Sequence, residues 1–258
     1  MQDVVDAFSR AVTDFFHPRM LALIVIPLLA ALLLWGAIAV FFWDDWMHWL
    51  QHSIEQGWLS HGLFASWAAW LAQSLSAVLI VLLIFPLSLV TALVVTAVCA
   101  MPPIVHFVAQ RRFPALEERH GGGFVGSIVN ALGATIIFAI LWLVTLPLWL
   151  TGILGIVLPL LLSMYLNQRL FRYDALAEHA SAAELPRVLA RAKWRLYGMG
   201  LLIAALYYIP VINLLIPVLG GLAFAHLCLG ELARMRKSEY GNQRSGFGDR
   251  SRQPAALP

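Results

Sequence analysis

The chain is poor in charge. Asp, Glu, Lys and Arg make up 12% of its 258 residues, about half the roughly 25% of an average soluble domain. Between Met20 and Gln110 there is no Lys or Arg at all. Cysteine is scarce too. Cys99 and Cys228 are the only two, and both lie inside apolar runs, which suits buried thiols better than a disulfide or a metal pair. Several motifs are missing. There is no HExxH, no G-x-S-x-G and no phosphate-cradling P-loop, and Gly121-Gly122-Gly123, with no Lys after it, reads as a flexible connection. These absences argue against a soluble domain, a nucleotide site and an enzyme. No catalytic residue, metal site, cofactor or nucleic-acid partner is expected.

What is present is hydrocarbon. Of the residues, 61% are hydrophobic, in runs long enough to cross a bilayer, which takes about 20 residues per helix. This places the chain among all-α integral membrane proteins. The first run, Met20 to Phe42, includes Ala37-Ile38-Ala39 and so resembles a signal peptide with its cleavage site. It is too long for that, and an uncleaved first transmembrane helix over 20–42 is the better reading.

The positive charges set the topology. All 17 Lys and Arg fall in four groups: Arg10 and Arg19; Arg111, Arg112 and Arg119; Arg169 to Arg195; and Arg234 to Arg252. The loop after the first run has none, and carries Asp44, Asp45 and Glu55 instead. The positive-inside rule then puts both termini in the cytoplasm. Only an outer loop, 43–62, faces the other side. Seven of the ten tryptophans lie between Trp35 and Trp70 and bracket that loop, as an interfacial aromatic belt does. Asp44, His48 and His52 share one helical face there. Three such ligands suit Zn²⁺, but the interleaved Trp43, Trp46 and Trp49 favour an amphipathic interfacial helix. A second long helix, 63–101, returns, bends at Pro86 and ends at Pro102-Pro103.

Two later stretches lie between cytoplasmic charge groups and must return to the side they left. One is 124–168, with Pro147 and Thr151-Gly152 near its bend. The other is 196–233, whose middle reads Pro210-Val-Ile-Asn-Leu-Leu-Ile-Pro217. Its arms keep roughly 13 to 16 residues each, or about 20 to 24 Å of helix, against a hydrocarbon core of about 30 Å. A re-entrant hairpin with its tip inside the bilayer fits better than two short spans. For 124–168 the two readings are balanced. Between the hairpins a cytoplasmic helix over 181–195 places Arg187, Arg191 and Arg195 on one basic face, suited to anionic lipid. The membrane domain thus covers 1–237, and 238–258 reads as a disordered basic tail.

Several short blocks also carry a family resemblance. They are Pro18 with Pro27, the Ala100-Met-Pro-Pro break, Ser163-Met-Tyr165 closing the first hairpin, and Ile209 to Pro217 followed by small residues. In order and spacing the chain resembles the etoposide-induced-protein (EI-type) family, which includes the bacterial sulfate permease CysZ. The resemblance implies two long transmembrane helices, two hemi-penetrating hairpins and sulfate uptake. Arg19 falls where CysZ-like members carry a glycine, and the basic pair at the mouth of their first helix is replaced here by apolar residues. The expected solute is therefore sulfate or a related small anion.

A broken hairpin presents a helix N-terminus, with free N–H groups and the positive end of a dipole, inside the bilayer. The candidate path is Arg19 at the inner mouth, Asn213 at the tip between Pro210 and Pro217, and Gly220 and Gly221 allowing close backbone approach. In the blander reading Arg19 anchors to headgroups, Asn213 satisfies loosened backbone and the glycines pack helices. Membrane lipids and a homo-oligomer are the expected partners, since one chain is too thin to enclose a path. The rival function is a non-transport assembly or lipid-interaction factor on the same fold.

Overall fold

A computed structural model describes residues 2–55 and 65–250. Among these residues every regular element is helical. In chain order they are α1 (Gln2–Phe15), α2 (Pro18–Phe41), α3 (Trp43–Glu55), α4 (Ala65–Cys99), α5 (Met101–Arg112) and α6 (Phe124–Thr145). A 3₁₀ segment (Leu146–Thr151) follows, then α7 (Leu154–Ala177), α8 (Glu184–Arg191), α9 (Lys193–Leu206), α10 (Pro210–Asn213) and α11 (Ile216–Arg250). Five stretches are long and apolar enough to cross a membrane: Pro18–Phe41, Gln73–Cys99, Val125–Thr151, Leu154–Ala177 and Ile216–Tyr240. The protein is an all-α membrane protein. Its chain divides into two compact units, Leu21–Val98 and the remainder.

The Leu21–Val98 unit pairs α2 with α4 antiparallel. The Trp35 indole N–H donates to Thr91 Oγ1 at 3.0 Å, and the Thr96 hydroxyl reaches the Leu23 carbonyl at 3.4 Å. Leu33, Val40, Leu82 and Val98 stay more than 60% exposed, as suits side chains solvated by lipid. Pro86 lies within α4. The second long helix ends at Cys99 rather than 101, because Pro102-Pro103 sit in the first turn of a new helix, α5, where proline costs no hydrogen bond. The expected outer-loop residues 56–62, and the helix start at 63–64, lie outside the described residues.

The larger unit is organised around α11. Within its apolar window 83% is buried, against 6% for Val125–Thr151. Helices α1, α5, α7 and α9 pack on it, closing over Leu222, Phe224 and Leu229. The first hairpin is α6 and α7, joined through the 3₁₀ segment, with Trp142 and Trp149 in edge contact at 5.0 Å. Gly152 takes the left-handed φ of 75° at the reversal, a conformation that favours glycine.

Polar contacts fasten the charged end of this unit. Glu184 and Ser181 form a capping box: the Ser181 amide donates to Glu184 Oε2 at 2.8 Å, and the Glu184 amide to Ser181 Oγ at 3.2 Å. The same carboxylate takes two bonds from Arg236 of α11, at 2.9 and 3.0 Å, and one from Arg119 at 2.9 Å. Arg236 also donates to the carbonyls of Glu117 and His179. On the other side of α11, buried Asp14 of α1 meets His226 at 3.0 Å and Arg112 at 3.3 Å.

Three expectations need correction here. The helix expected over 181–195 breaks at Ala192 (φ −92°, ψ 4°) into α8 and α9, so Arg187, Arg191 and Arg195 do not form one face. Arg187 pairs with Glu239, and Arg195 with Asp3 and Glu231. Gly121 to Gly123 are not a loose connector. The Gly122 amide bonds the Ala177 carbonyl, which the end of α7 leaves open, and the Gly121 amide bonds the Ala180 carbonyl in the turn beyond it. A Cβ on Gly121 would fall 2.2 Å from the Ala182 nitrogen. Finally, the expected disordered tail begins too early. α11 continues to Arg250, and the Arg187–Glu239 pair ties its extension to α8. Residues 251–258 lie outside the described residues.

The bonds from Arg236, helped by the Ser181 amide and Arg119 and opposed by burial, lower the Glu184 pKa from 4.5 to about 2. The unfolded chain therefore takes up this proton first as pH falls. The carboxylate's contribution is complete above pH 4.5 and is lost on the way to about pH 2, about 3 kcal/mol in all. Glu184→Gln leaves Arg236 buried without its counter-charge, at a cost of about 3 to 5 kcal/mol. Thermal unfolding in detergent is expected to show a lower Tm for Glu184→Gln at pH 7, and a weaker fall in Tm between pH 5 and 3 than in the parent.

Candidate functional site

The break in the last hairpin is written locally. Tyr207, Tyr208 and Ile209 amides bond carbonyls three residues back (Ala204, Ala205 and Leu206), tightening the end of α9 into a 3₁₀ turn. Ile209 is extended (φ −101°, ψ 107°), and Pro210 opens α10. Pro at the first helical position is pre-set for that role and lacks only an N–H that would have no partner there. The Asn213 amide bonds the Ile209 carbonyl, and Leu215 the Ile212 carbonyl. Pro217 lies in the first turn of α11. These amides at the tip are thus satisfied by backbone carbonyls.

The expected path residues divide into three environments. Asn213 is exposed at the tip, and Pro217 beside it is partly buried. Gly220 and Gly221 lie just inside, in the buried part of α11. A Cβ on Gly220 would come 3.3 Å from the Phe171 ring, and one on Gly221 3.0 Å from Ile104 Cδ1 and 3.1 Å from Met101 Sδ. These glycines let α5 and α7 approach α11. Arg19 stands elsewhere, exposed on the first turn of α2, where its amide meets His17 Nδ1 at 3.3 Å. Pro210, Asn213, Pro217 and the two glycines are therefore consecutive parts of one tip, and Arg19 is not among their described contacts.

The tip is covered on one side only. Ile216 and Val218 are fully buried, whereas Tyr208 and Ile209 are 55% and 46% exposed. Two tyrosines tie it to the first hairpin. The Tyr208 hydroxyl donates to the Ile156 carbonyl at 3.0 Å, and the Tyr207 hydroxyl to Asn167 Oδ1 at 3.4 Å. Sequence reading missed the α7 side of this arrangement. A usable signal was Gly200, whose Cβ would lie 2.8 Å from the Met164 carbonyl oxygen. A glycine at that spacing marks where two backbones touch. The candidate outer ligands Asp44 and His48 lie on α3, and no three metal-ligating side chains converge among the described residues.

A valine at Gly221 has no room beside Ile104 and Met101, and overpacking of this kind costs about 1 to 3 kcal/mol. Gly221→Val is expected to lower the Tm in detergent by several degrees, while Asn213→Leu at the exposed tip leaves it within a degree or two, on the order of what surface changes do.

No curated protein and no solved structure matches the chain. A family model does, over residues 7–217, from within α1 through the first hairpin and α9 to the tip, ending at Pro217 in the first turn of α11. The chain belongs to the family described as sulfate transporter CysZ/etoposide-induced protein 2.4.

Proposed function

We propose that this protein carries sulfate or a related small anion across a bacterial inner membrane, with both termini in the cytoplasm. The observation that carries the reading is the broken tip over 207–217 in a chain of this family. Arm α9 has 14 residues, about 21 Å of helix. That is short of the roughly 30 Å hydrocarbon core and favours a tip within the bilayer; the other arm is longer than the arms of roughly 13 to 16 residues expected from the sequence, its apolar stretch Ile216–Tyr240 having 25 residues. The start of α11 then places a dipole's positive end at depth, with Asn213 offering an amide beside it. Arg19 draws anions toward the inner mouth.

Exposure at the tip supports a homo-oligomer. Irregular backbone inside a bilayer must be covered by protein or by a water-filled cavity. Tyr208, Ile209 and Asn213 are left open by a single chain, and a second copy would cover them.

Radiolabelled sulfate flux into proteoliposomes tests the reading. Flux is expected for the parent, with a drop of about tenfold for Asn213→Leu, the scale of one lost hydrogen bond to a charged group. Absence of flux for sulfate, sulfite, thiosulfate and phosphate would leave the assembly or lipid-interaction role instead. An Asn213→Cys variant labelled readily by an impermeant reagent from the periplasm would remove the tip from the membrane interior.

A further inference from the structure

α7 holds polar residues where an apolar hairpin has least use for them. Asn167 is 5% exposed and Gln168 is 1% exposed. Both point toward α9 and α11. Gln168 Cβ and Met164, one turn apart, close on Gly200 of α9. Phe171, one turn beyond Asn167, stacks on Phe224 of α11 at 5.5 Å. Asn167 Oδ1 accepts from the Tyr207 hydroxyl, but its Nδ2 has no protein partner, and neither does Gln168 Oε1. The next residue, Arg169, has a buried and unpartnered Nε. Buried polar atoms are nearly always satisfied. Asn167 Nδ2 and Gln168 Oε1, left open on neighbouring residues that are both buried, point to a non-protein occupant, while Arg169 lies further round the helix.

The charge beside them says what kind. Arg111, Arg112, Arg119, Arg187, Arg195, Arg234 and Arg236 all pair with carboxylates. Among the described residues Arg169 and Arg172 form no ion pair with a carboxylate, although both are partly buried. Asp174, the nearest carboxylate in sequence, is partner to neither and leaves its own Oδ1 open. Buried guanidinium charge is costly unless something neutralises it, and guanidinium groups match planar or tetrahedral oxyanions well. Gln168 and Arg172 are i and i+4, hence on one face. The carboxamide of Gln168 turns by 180° to present Nε2 in place of Oε1 with little change of shape.

We propose that Asn167, Gln168 and Arg172 coordinate a small oxyanion within the α7, α9 and α11 core, with Arg169 adding positive potential from the flank. The anion class rests on the transport reading above, whereas hydration of this face of α7 does not. The solute then leaves the tip through Tyr207 and passes along α7.

The test uses the full chain with Cys99→Ala, in which buried Cys228 remains and its resistance to thiol reagents reports an intact fold. Asn167→Cys in that background is treated with an anionic methanethiosulfonate in detergent. Labelling is expected, slowed about tenfold by sulfate at roughly ten times its Kd, by mass action. Sulfate is also expected to raise the Tm of the parent relative to chloride. Arg172→Gln loses that shift and Arg172→Lys keeps part of it. No labelling of the Asn167→Cys variant, with Cys228 still protected, would overturn the proposal, because the core would be dry. Labelling that no oxyanion slows, together with a parent Tm that sulfate does not raise above its value in chloride, would overturn it too. Sulfate-protected labelling without sulfate flux supports this site and sinks the transport reading. Flux that Arg172→Gln and Asn167→Leu leave unchanged does the reverse.

Discussion

Burial of α11 is the constraint from which the larger unit follows. A helix apolar enough to span a bilayer is here enclosed by protein instead of lipid. Its polar side chains must then find partners inside that enclosure, since an unpaired buried charge costs several kcal/mol. His226 meets Asp14 of α1, Glu231 meets Arg195 of α9, and Arg236 meets Glu184 of α8. Each pair fixes a different neighbour against the same helix. The small residues do the complementary work: Gly220 and Gly221 bring Phe171, Ile104 and Met101 to within van der Waals distance of its backbone. Without a hydrophobic force between helices in lipid, close packing and polar pairs of this kind are what hold such a unit together.

Enclosure also makes the break before α11 tolerable. A chain reversal exposed to lipid would leave amides without partners. At this tip the amides of 207–209, 213 and 215 bond carbonyls three or four residues earlier, and Ile216 and Val218 are sealed in the core. The reversal thus costs little hydrogen bonding, and its position is held from outside by Tyr207 and Tyr208 on α7. The open outer side is a different matter. Tyr208, Ile209 and Asn213 are exposed in the single chain, which is why the proposed oligomer and the proposed anion path are one question.

Much of this was legible in the sequence, and the division between legible and hidden is physical. Hydrocarbon runs and charge placement act through the bilayer, an environment common to every membrane protein, so the membrane class could be read from composition. Pro210 and Pro217 act through local backbone sterics and marked the break to within a residue or two. What was hidden depends on residues far apart in the chain. Nothing near Gly122 announces that it caps α7 at Ala177. Arg195 is in helical register with Arg187 and Arg191, yet a kink at Ala192 and the carboxylates of Asp3 and Glu231 take it elsewhere. Of the path residues, the tip group is contiguous because proline and glycine spacing is local. Arg19 was joined to it by charge alone, and no described contact does so.

The polar face of α7 changes how the tip is understood. A solute route needs donors along its length, and Asn213 alone supplies one point at an exposed end. The Tyr207 hydroxyl connects that end to Asn167, and the next residue, Gln168, shares a face with Arg172 one turn later. A purely structural polar cluster would be expected to close on itself, as the Glu184 and Arg236 cluster does with nearly every donor used. The α7 group does the opposite. It leaves amide atoms unpaired in the core and guanidinium charge without carboxylate. The contrast between these two clusters within one unit is the strongest reason to regard the first as scaffold and the second as a place where something passes.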